Sequence, residues 1–133
     1  MVRSGGCFCG ALRYEVHGDV FNVTTCHCRS CRRIAGAPAL SWFTVKRDGL
    51  RWLAGNPAIL RSSPGVTRTF CAACGTPLGY RRDDTPEECD VTLCSLDAPE
   101  TLAPTDHTFT GEALPWNIVC DGLPRYRRTR AEG

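Results

Sequence analysis

The chain of 133 residues has the length of one compact domain with a modest core. Its 42% hydrophobic and 23% charged residues mark it as globular rather than disordered, and a formal charge of +2 is too small to imply a polyanion partner. No segment approaches the ~20 apolar residues of a membrane span, and Met1–Gly6 lacks the apolar run of a signal peptide, so the expected setting is the cytoplasm, away from membranes.

Taken in chain order, the predicted elements are mostly short strands. Ala11–Val16 alternates apolar and polar residues as a half-buried strand does, and similar segments follow at Phe21–Thr24, Ala39–Val45, Leu50–Leu53, Ala58–Arg61, Val66–Phe70 and Asp90–Leu96. Turn residues punctuate them, as at Asp48-Gly49, Gly55-Asn56-Pro57 and Ser63-Pro64-Gly65. Helix signals are few. Ser30–Ala35 has room for one or two turns, and Asp97-Ala98-Pro99-Glu100 supplies an N-cap and an acidic first turn. Arg81–Glu88 reads as an exposed loop. The tail from Arg125, rich in arginine, reads as solvated and frayed, so a single domain is expected with its core from about residue 5 to 126 and residues 127–133 as tail.

Seven of the ten cysteines fall in three tight groups, Cys7-x-Cys9, Cys26-x-Cys28-x-x-Cys31 and Cys71-x-x-Cys74. In a reducing compartment clustered cysteines are metal ligands sooner than disulfides. Tetrahedral zinc with Zn–S near ~2.3 Å sets neighbouring sulfurs about 3.8 Å apart, which ligands one or two residues apart in a turn satisfy at little entropic cost. Gly75 directly after the Cys71–Cys74 knuckle can take a left-handed conformation, turning backbone N–H groups toward the thiolates. Spacing leaves two groupings open. One joins Cys7, Cys9, Cys71 and Cys74 and leaves Cys26, Cys28 and Cys31 as a second cluster. The other joins Cys28 and Cys31 to Cys71 and Cys74 as a zinc ribbon, with Cys7 and Cys9 spare.

A longer pattern surrounds these cysteines. Gly5-Gly6-Cys7-x-Cys9-Gly10-x-x-Arg13-Tyr14 leads to Cys26-His27-Cys28-x-x-Cys31-Arg32, Gly36-Ala37-Pro38 and Trp42. Phe70-Cys71-x-x-Cys74-Gly75-Thr76-Pro77-Leu78, Ser95-Leu96-Asp97, Pro104, His107, Pro115-Trp116 and Asp121-Gly122-Leu123-Pro124 follow in order. From about Gly5 to Tyr126 the chain resembles the glutathione-dependent formaldehyde-activating enzyme family, which also includes centromere protein V. The resemblance implies a mainly β fold of the β-tent type, with short antiparallel sheets held by a four-cysteine zinc and few short helices. It implies two zincs per chain. Cys7, Cys9, Cys71 and Cys74 match the structural ligands, and Cys26, Cys28 and Cys31 match the catalytic ones.

Three thiolates leave one tetrahedral position free, and such a zinc suits a soft thiol better than water. The expected reaction is reversible addition of a small thiol, glutathione in the family, to formaldehyde or another short aldehyde, which in reverse is carbon–sulfur bond cleavage. The partners expected are thus small thiol and aldehyde substrates, with no nucleic acid and no membrane, and a homodimer is allowed. Two other readings are a non-enzymatic carrier or sensor of thiol adducts, and a zinc module that binds nucleic acid or protein through Arg125, Arg127, Arg128 and Arg130. The chain is shorter than the fuller glutathione-dependent enzymes, which bears on the glutathione site.

Individual residues carry further expectations. His27, between two ligands, is read as supporting them rather than ligating, with proton shuttling as its other role. His107 is a candidate pocket residue beside Asp106 and Thr108. Trp42 and Trp116 are read as core or pocket wall, and Arg29, Arg32 and Arg33 as carboxylate binders near the open site. Cys89, Cys94 and Cys120 lack knuckle spacing and are read as small buried hydrophobes. His17 reads as a surface strand residue.

Overall fold

Period-two alternation is cleanest where Tyr14 and Val16 bury completely while Arg13, Glu15 and His17 stay half-exposed. The computed structural model describes residues 1–133. It runs β1 (Val2–Gly6), β2 (Arg13–His17), β3 (Val20–Cys26), α1 (Arg29–Ala35), β4 (Leu40–Lys46), β5 (Leu50–Ala54), β6 (Ala58–Ser63), β7 (Val66–Phe70), β8 (Pro77–Arg82), β9 (Glu88–Thr92) and β10 (Asp106–Thr108). The fold is mainly β, as expected. No helix is long and apolar enough to cross a membrane.

Strands β1, β2 and β5 form a small antiparallel sheet in that order. The other seven form the larger sheet in the order β10-β3-β4-β9-β8-β7-β6, antiparallel throughout except where β10 lies parallel to β3. Strand β4 holds the middle of its half of that sheet, and Trp42, Phe43, Thr44 and Val45 are buried on both of its faces. Phe43, Val45, Leu78 and Val91 from this sheet meet Tyr14 and Val16 from the small one in a single core. The Tyr14 ring stands edge-on to Trp52, with centroids 5.8 Å apart, and its hydroxyl bonds Ser95 Oγ at 2.7 Å. Gly5 lies so close that an added Cβ would sit 2.4 Å from the Tyr14 hydroxyl oxygen. Any side chain there would force the tyrosine out.

Several expectations shift in detail. The Asp90–Leu96 segment divides into β9 and a 3-10 turn at Leu93–Ser95, and the expected helix near Asp97 is only a 3-10 turn at Pro99–Thr101. Strand β8 extends into the expected loop as far as Arg82. The tail is docked rather than frayed. His107 N–H donates to the Pro124 carbonyl, Tyr126 N–H to the His107 carbonyl and Phe109 N–H to the Arg128 carbonyl, each at 2.9 Å. Those bonds satisfy the edge of β10 that β3 leaves open. The Arg130 guanidinium clasps the buried Asp106 carboxylate and reaches Asn22 Oδ1 at 2.9 Å. Cys89 is buried as expected, but Cys94 and Cys120 are exposed. Trp116 is also 68% exposed, in a Pro/Gly-punctuated stretch with no strand or α-helix to pack it, so it is not core.

Candidate functional site

Two separate clusters of thiols emerge from this framework. Cys7 and Cys9 sit in the turn after β1, and Cys71 and Cys74 in the turn between β7 and β8. The four sulfurs lie within 4.8 Å of one another, with Cys7–Cys9 at 3.6 Å and Cys9–Cys71 at 3.8 Å. None is in a disulfide. These separations match the edge of a tetrahedral zinc–thiolate site.

The two turns are built alike. Cys7 N–H donates to the Leu12 carbonyl and Gly10 N–H to the Cys7 carbonyl; Cys71 N–H donates to the Thr76 carbonyl and Gly75 N–H to the Cys71 carbonyl. Gly10 and Gly75 both take positive φ, 80° and 82°. Leu12 N–H points at Cys7 Sγ (3.3 Å), and the Thr76 hydroxyl lies 3.3 Å from Cys74 Sγ. The Thr76 contacts hold the Cys74 thiol well below its ordinary value, as a site for thiolates requires. The Thr76 hydroxyl also accepts from Phe8 N–H at 3.1 Å, so one residue ties the two turns together.

The second cluster, Cys26, Cys28 and Cys31, again brings its sulfurs within 4.8 Å of one another. Cys26 ends β3 and Cys31 belongs to α1, both buried, while Cys28 is half-buried between them. Cys28 is also the N-cap of α1, its Sγ accepting from Cys31 N–H at 3.3 Å, and Gly36 (φ 61°) closes the helix at its other end. This short helix therefore forms because its first turn is organised by a sulfur. Hydrogen bonds from the Cys26 and Cys31 thiols, then the N–H groups of the helix start, depress the Cys28 thiol strongly, while Cys26 is driven up by sharing with its two neighbours. Trp42 packs on Cys26 and Cys31, with Leu40, Tyr80 and Phe109 around them. Cys28 and Cys31 do not group with Cys71 and Cys74, so the ribbon arrangement has no counterpart in the fold.

His27 stands outside both thiol clusters. It is fully buried, its N–H donates to the Thr108 carbonyl at 3.0 Å, and its Nε2 lies 2.9 Å from His107 Nδ1. His107 Nε2 in turn lies 2.7 Å from Asp121 Oδ2. The carboxylate assigns a proton to His107 Nε2, which makes His107 Nδ1 the acceptor of His27 Nε2–H. His27 Nδ1 is left buried without a partner. Burial, then His107, lowers His27 from the usual imidazole value, in keeping with a neutral ring. The chain thus grips the peptide between Cys26 and Cys28 through both backbone and ring. Asp121 carried no signal in the sequence beyond its place in Asp121-Gly122-Leu123-Pro124; only the docking of the C-terminal segment on β10 brings it to His107.

Arg29, Arg32 and Arg33 lie on α1 beside the three-thiol cluster, and His17 lies apart from it. Arg29 and Arg33 are exposed, and Arg32 is half-buried with its Nε lacking a partner. Arg29 N–H, at the start of α1, donates to Glu112 Oε1 at 3.1 Å. His17 lies on β2 and bonds Glu15 at 3.0 Å, as a surface strand residue would.

The family model described as glutathione-dependent formaldehyde-activating enzyme matches residues 2–112. The chain belongs to this family. A crystal structure of a Rhodobacter sphaeroides protein superposes with a TM-score of 0.62 at 22% identity, covering 92% of this chain and 98% of that one. At that identity the likeness shows the fold alone. A search of curated proteins returns no match. The family match stops short of Asp121 and Arg130, so the residues that anchor His107 and Asp106 from the C-terminal side lie outside the matched region.

Proposed function

We propose that this member of the formaldehyde-activating enzyme family is a zinc-dependent carbon–sulfur lyase that adds a small thiol, glutathione or similar, reversibly to formaldehyde or another short aldehyde. The observation that carries this reading is the pairing of a four-thiol cluster with a three-thiol cluster that has no fourth protein donor. Cys7, Cys9, Cys71 and Cys74 are the ligands of a structural zinc, and Cys26, Cys28 and Cys31 those of a catalytic one, giving two per chain. Zinc at the three-thiol site would supply an open Lewis-acid position that favours the thiolate form of a ligand thiol.

The chain's own residues prepare that position. The N–H groups at the start of α1 offset thiolate charge at Cys28. Trp42 and Phe109 wall the cluster and keep water from its buried side, while half-buried Cys28 marks the side open to ligand. His27, held by His107 and Asp121, fixes the turn that presents Cys26 and Cys28. In the reaction a bond forms between the thiol sulfur and the aldehyde carbon. The carbonyl π bond breaks, and its oxygen takes up a proton equal to the one the thiol released.

The test is the rate of S-hydroxymethyl adduct formation from glutathione and formaldehyde, with and without zinc-loaded protein, alongside zinc content. The parent is expected to hold about two zincs and accelerate the reaction; Cys28→Ser and Cys31→Ser should keep the fold, hold about one zinc and show the uncatalysed rate. Unchanged rates in both variants would sink the enzyme reading. Tight thiol binding by the parent without acceleration would instead make the protein a carrier.

A further inference from the structure

Arg68 is a buried cation with no anion. It projects from β7 with 7% of its surface exposed, and it takes part in none of the chain's ion pairs. Its Nε donates to Ser62 Oγ at 3.1 Å and its guanidinium lies 5.0 Å from the centroid of the Tyr80 ring, but Nη1 is buried without a partner. An unpaired buried charge is costly, and a guanidinium presents its donors in a fork that fits a carboxylate. Arg68 lines a cavity of about 210 Å³ whose other principal walls are Ile34, Trp42, Leu60, Phe70 and Pro77. No acidic residue lines it.

This cavity shares walls with the three-thiol cluster. Trp42 packs directly on Cys26 and Cys31, and Ile34 follows Cys31 by three residues on α1, on the same helix face. We propose that the cavity binds a monocarboxylate with an apolar body, the Arg68 guanidinium donating to a carboxylate oxygen. Combined with the thiol reading above, on which this step rests, the preferred substrate is a short thiol acid. A zwitterionic thiol fits less well, because nothing in the cavity receives an ammonium group.

Two measurements separate this site from the chemistry. In the first, 4-methylpentanoate and its amide are titrated calorimetrically into the zinc-loaded parent, Cys28→Ser and Arg68→Met proteins. The parent and Cys28→Ser should bind the acid about tenfold to a hundredfold more tightly than the amide, the worth of a charged hydrogen bond. Arg68→Met, which replaces an unpaired charge by an apolar side chain of similar length, should melt no lower than the parent and bind the two equally. Equal binding of acid and amide by the parent, or a preference that persists in Arg68→Met, would overturn the proposal. In the second, 3-mercaptopropionate and its methyl ester are compared as substrates with formaldehyde. Arg68→Met should raise KM for the acid alone and leave kcat unchanged. A carboxylate preference in the first measurement with no turnover in the second would keep the anion site and remove the thiol reading.

Discussion

The two thiol clusters are made of the same ligand type yet are supported in opposite ways. The four-thiol cluster is assembled from two turns more than sixty residues apart, each completed by its own backbone bonds and a glycine of positive φ. The three-thiol cluster comes from one short stretch of chain but leans on remote groups, namely His107 and Thr108 on β10, Glu112 beyond it and Asp121 in the C-terminal segment. The first joins distant parts and supports itself, so a bound metal there works as a cross-link. The second joins near parts and is supported from afar, so its geometry is adjustable by residues that never touch the metal.

The largest expected effect breaks the first cluster. Cys71→Ser should lose the structural metal and melt at least ~15 °C below the parent, since structural zinc binding is folding free energy and several kcal/mol correspond to such a shift in a domain of this size. Cys31→Ser, measured in the same thermal scan, should melt within about 5 °C of the parent. Equal losses in the two variants would erase the distinction between the clusters.

Next in size is the support of the second cluster. His107→Ala removes the link between His27 and Asp121 and should weaken zinc retention at the three-thiol site about tenfold to a hundredfold, the usual cost of removing a group that orients a metal ligand. Competition with a chromophoric chelator would read this directly. The four-thiol site should release its metal as slowly as in the parent; a matched loss at both sites would show that the support is not local.

The smallest effect separates general stability from metal. Burial, only partly offset by the Thr44 hydroxyl, pushes Asp90 up to about 6. Its folded value thus lies above its unfolded one, so the folded state holds the extra proton between about pH 4 and 6 and the residue opposes folding increasingly as pH rises through that window. Asp90→Asn should raise the melting temperature by a few degrees at pH 7.5, and the gain should vanish at pH 4. Zinc content of both clusters should stay unchanged. A variant that melts below the parent at pH 7.5 would show that the Asp90 charge supports the fold rather than opposing it.

What could be read from the sequence divides along the same line as the two clusters. The cysteine groups were legible because the spacing that closes a knuckle is written within three or four consecutive positions. Strands β2 and β4 were legible because each carries an alternating or continuous apolar pattern of its own. Strand β1, with Gly5 and Gly6, has no such pattern and is held by its pairing with β2 and by the approach of Tyr14. Strand β10 has only three residues and exists because β3 and the C-terminal segment flank it. Asp121 and Arg68 were invisible for the same reason. One is an acidic residue in a turn and the other an arginine in a polar-looking strand, and only their surroundings in three dimensions give them meaning. Trp116 is the reverse case, an aromatic residue whose type suggested burial but whose segment offers nothing to bury it against.

The docking of residues 124–130 on β10 also has a consequence in time. During synthesis Cys74 leaves the ribosome before Asp121 and Arg130, although a domain folds as a unit. The four cysteines of the first cluster have therefore all emerged while the anchor of His107 is still to come. A chain cut just before Asp121 would keep all seven clustered cysteines and all ten strands, yet lack the carboxylate on His107 and the segment that covers the edge of β10.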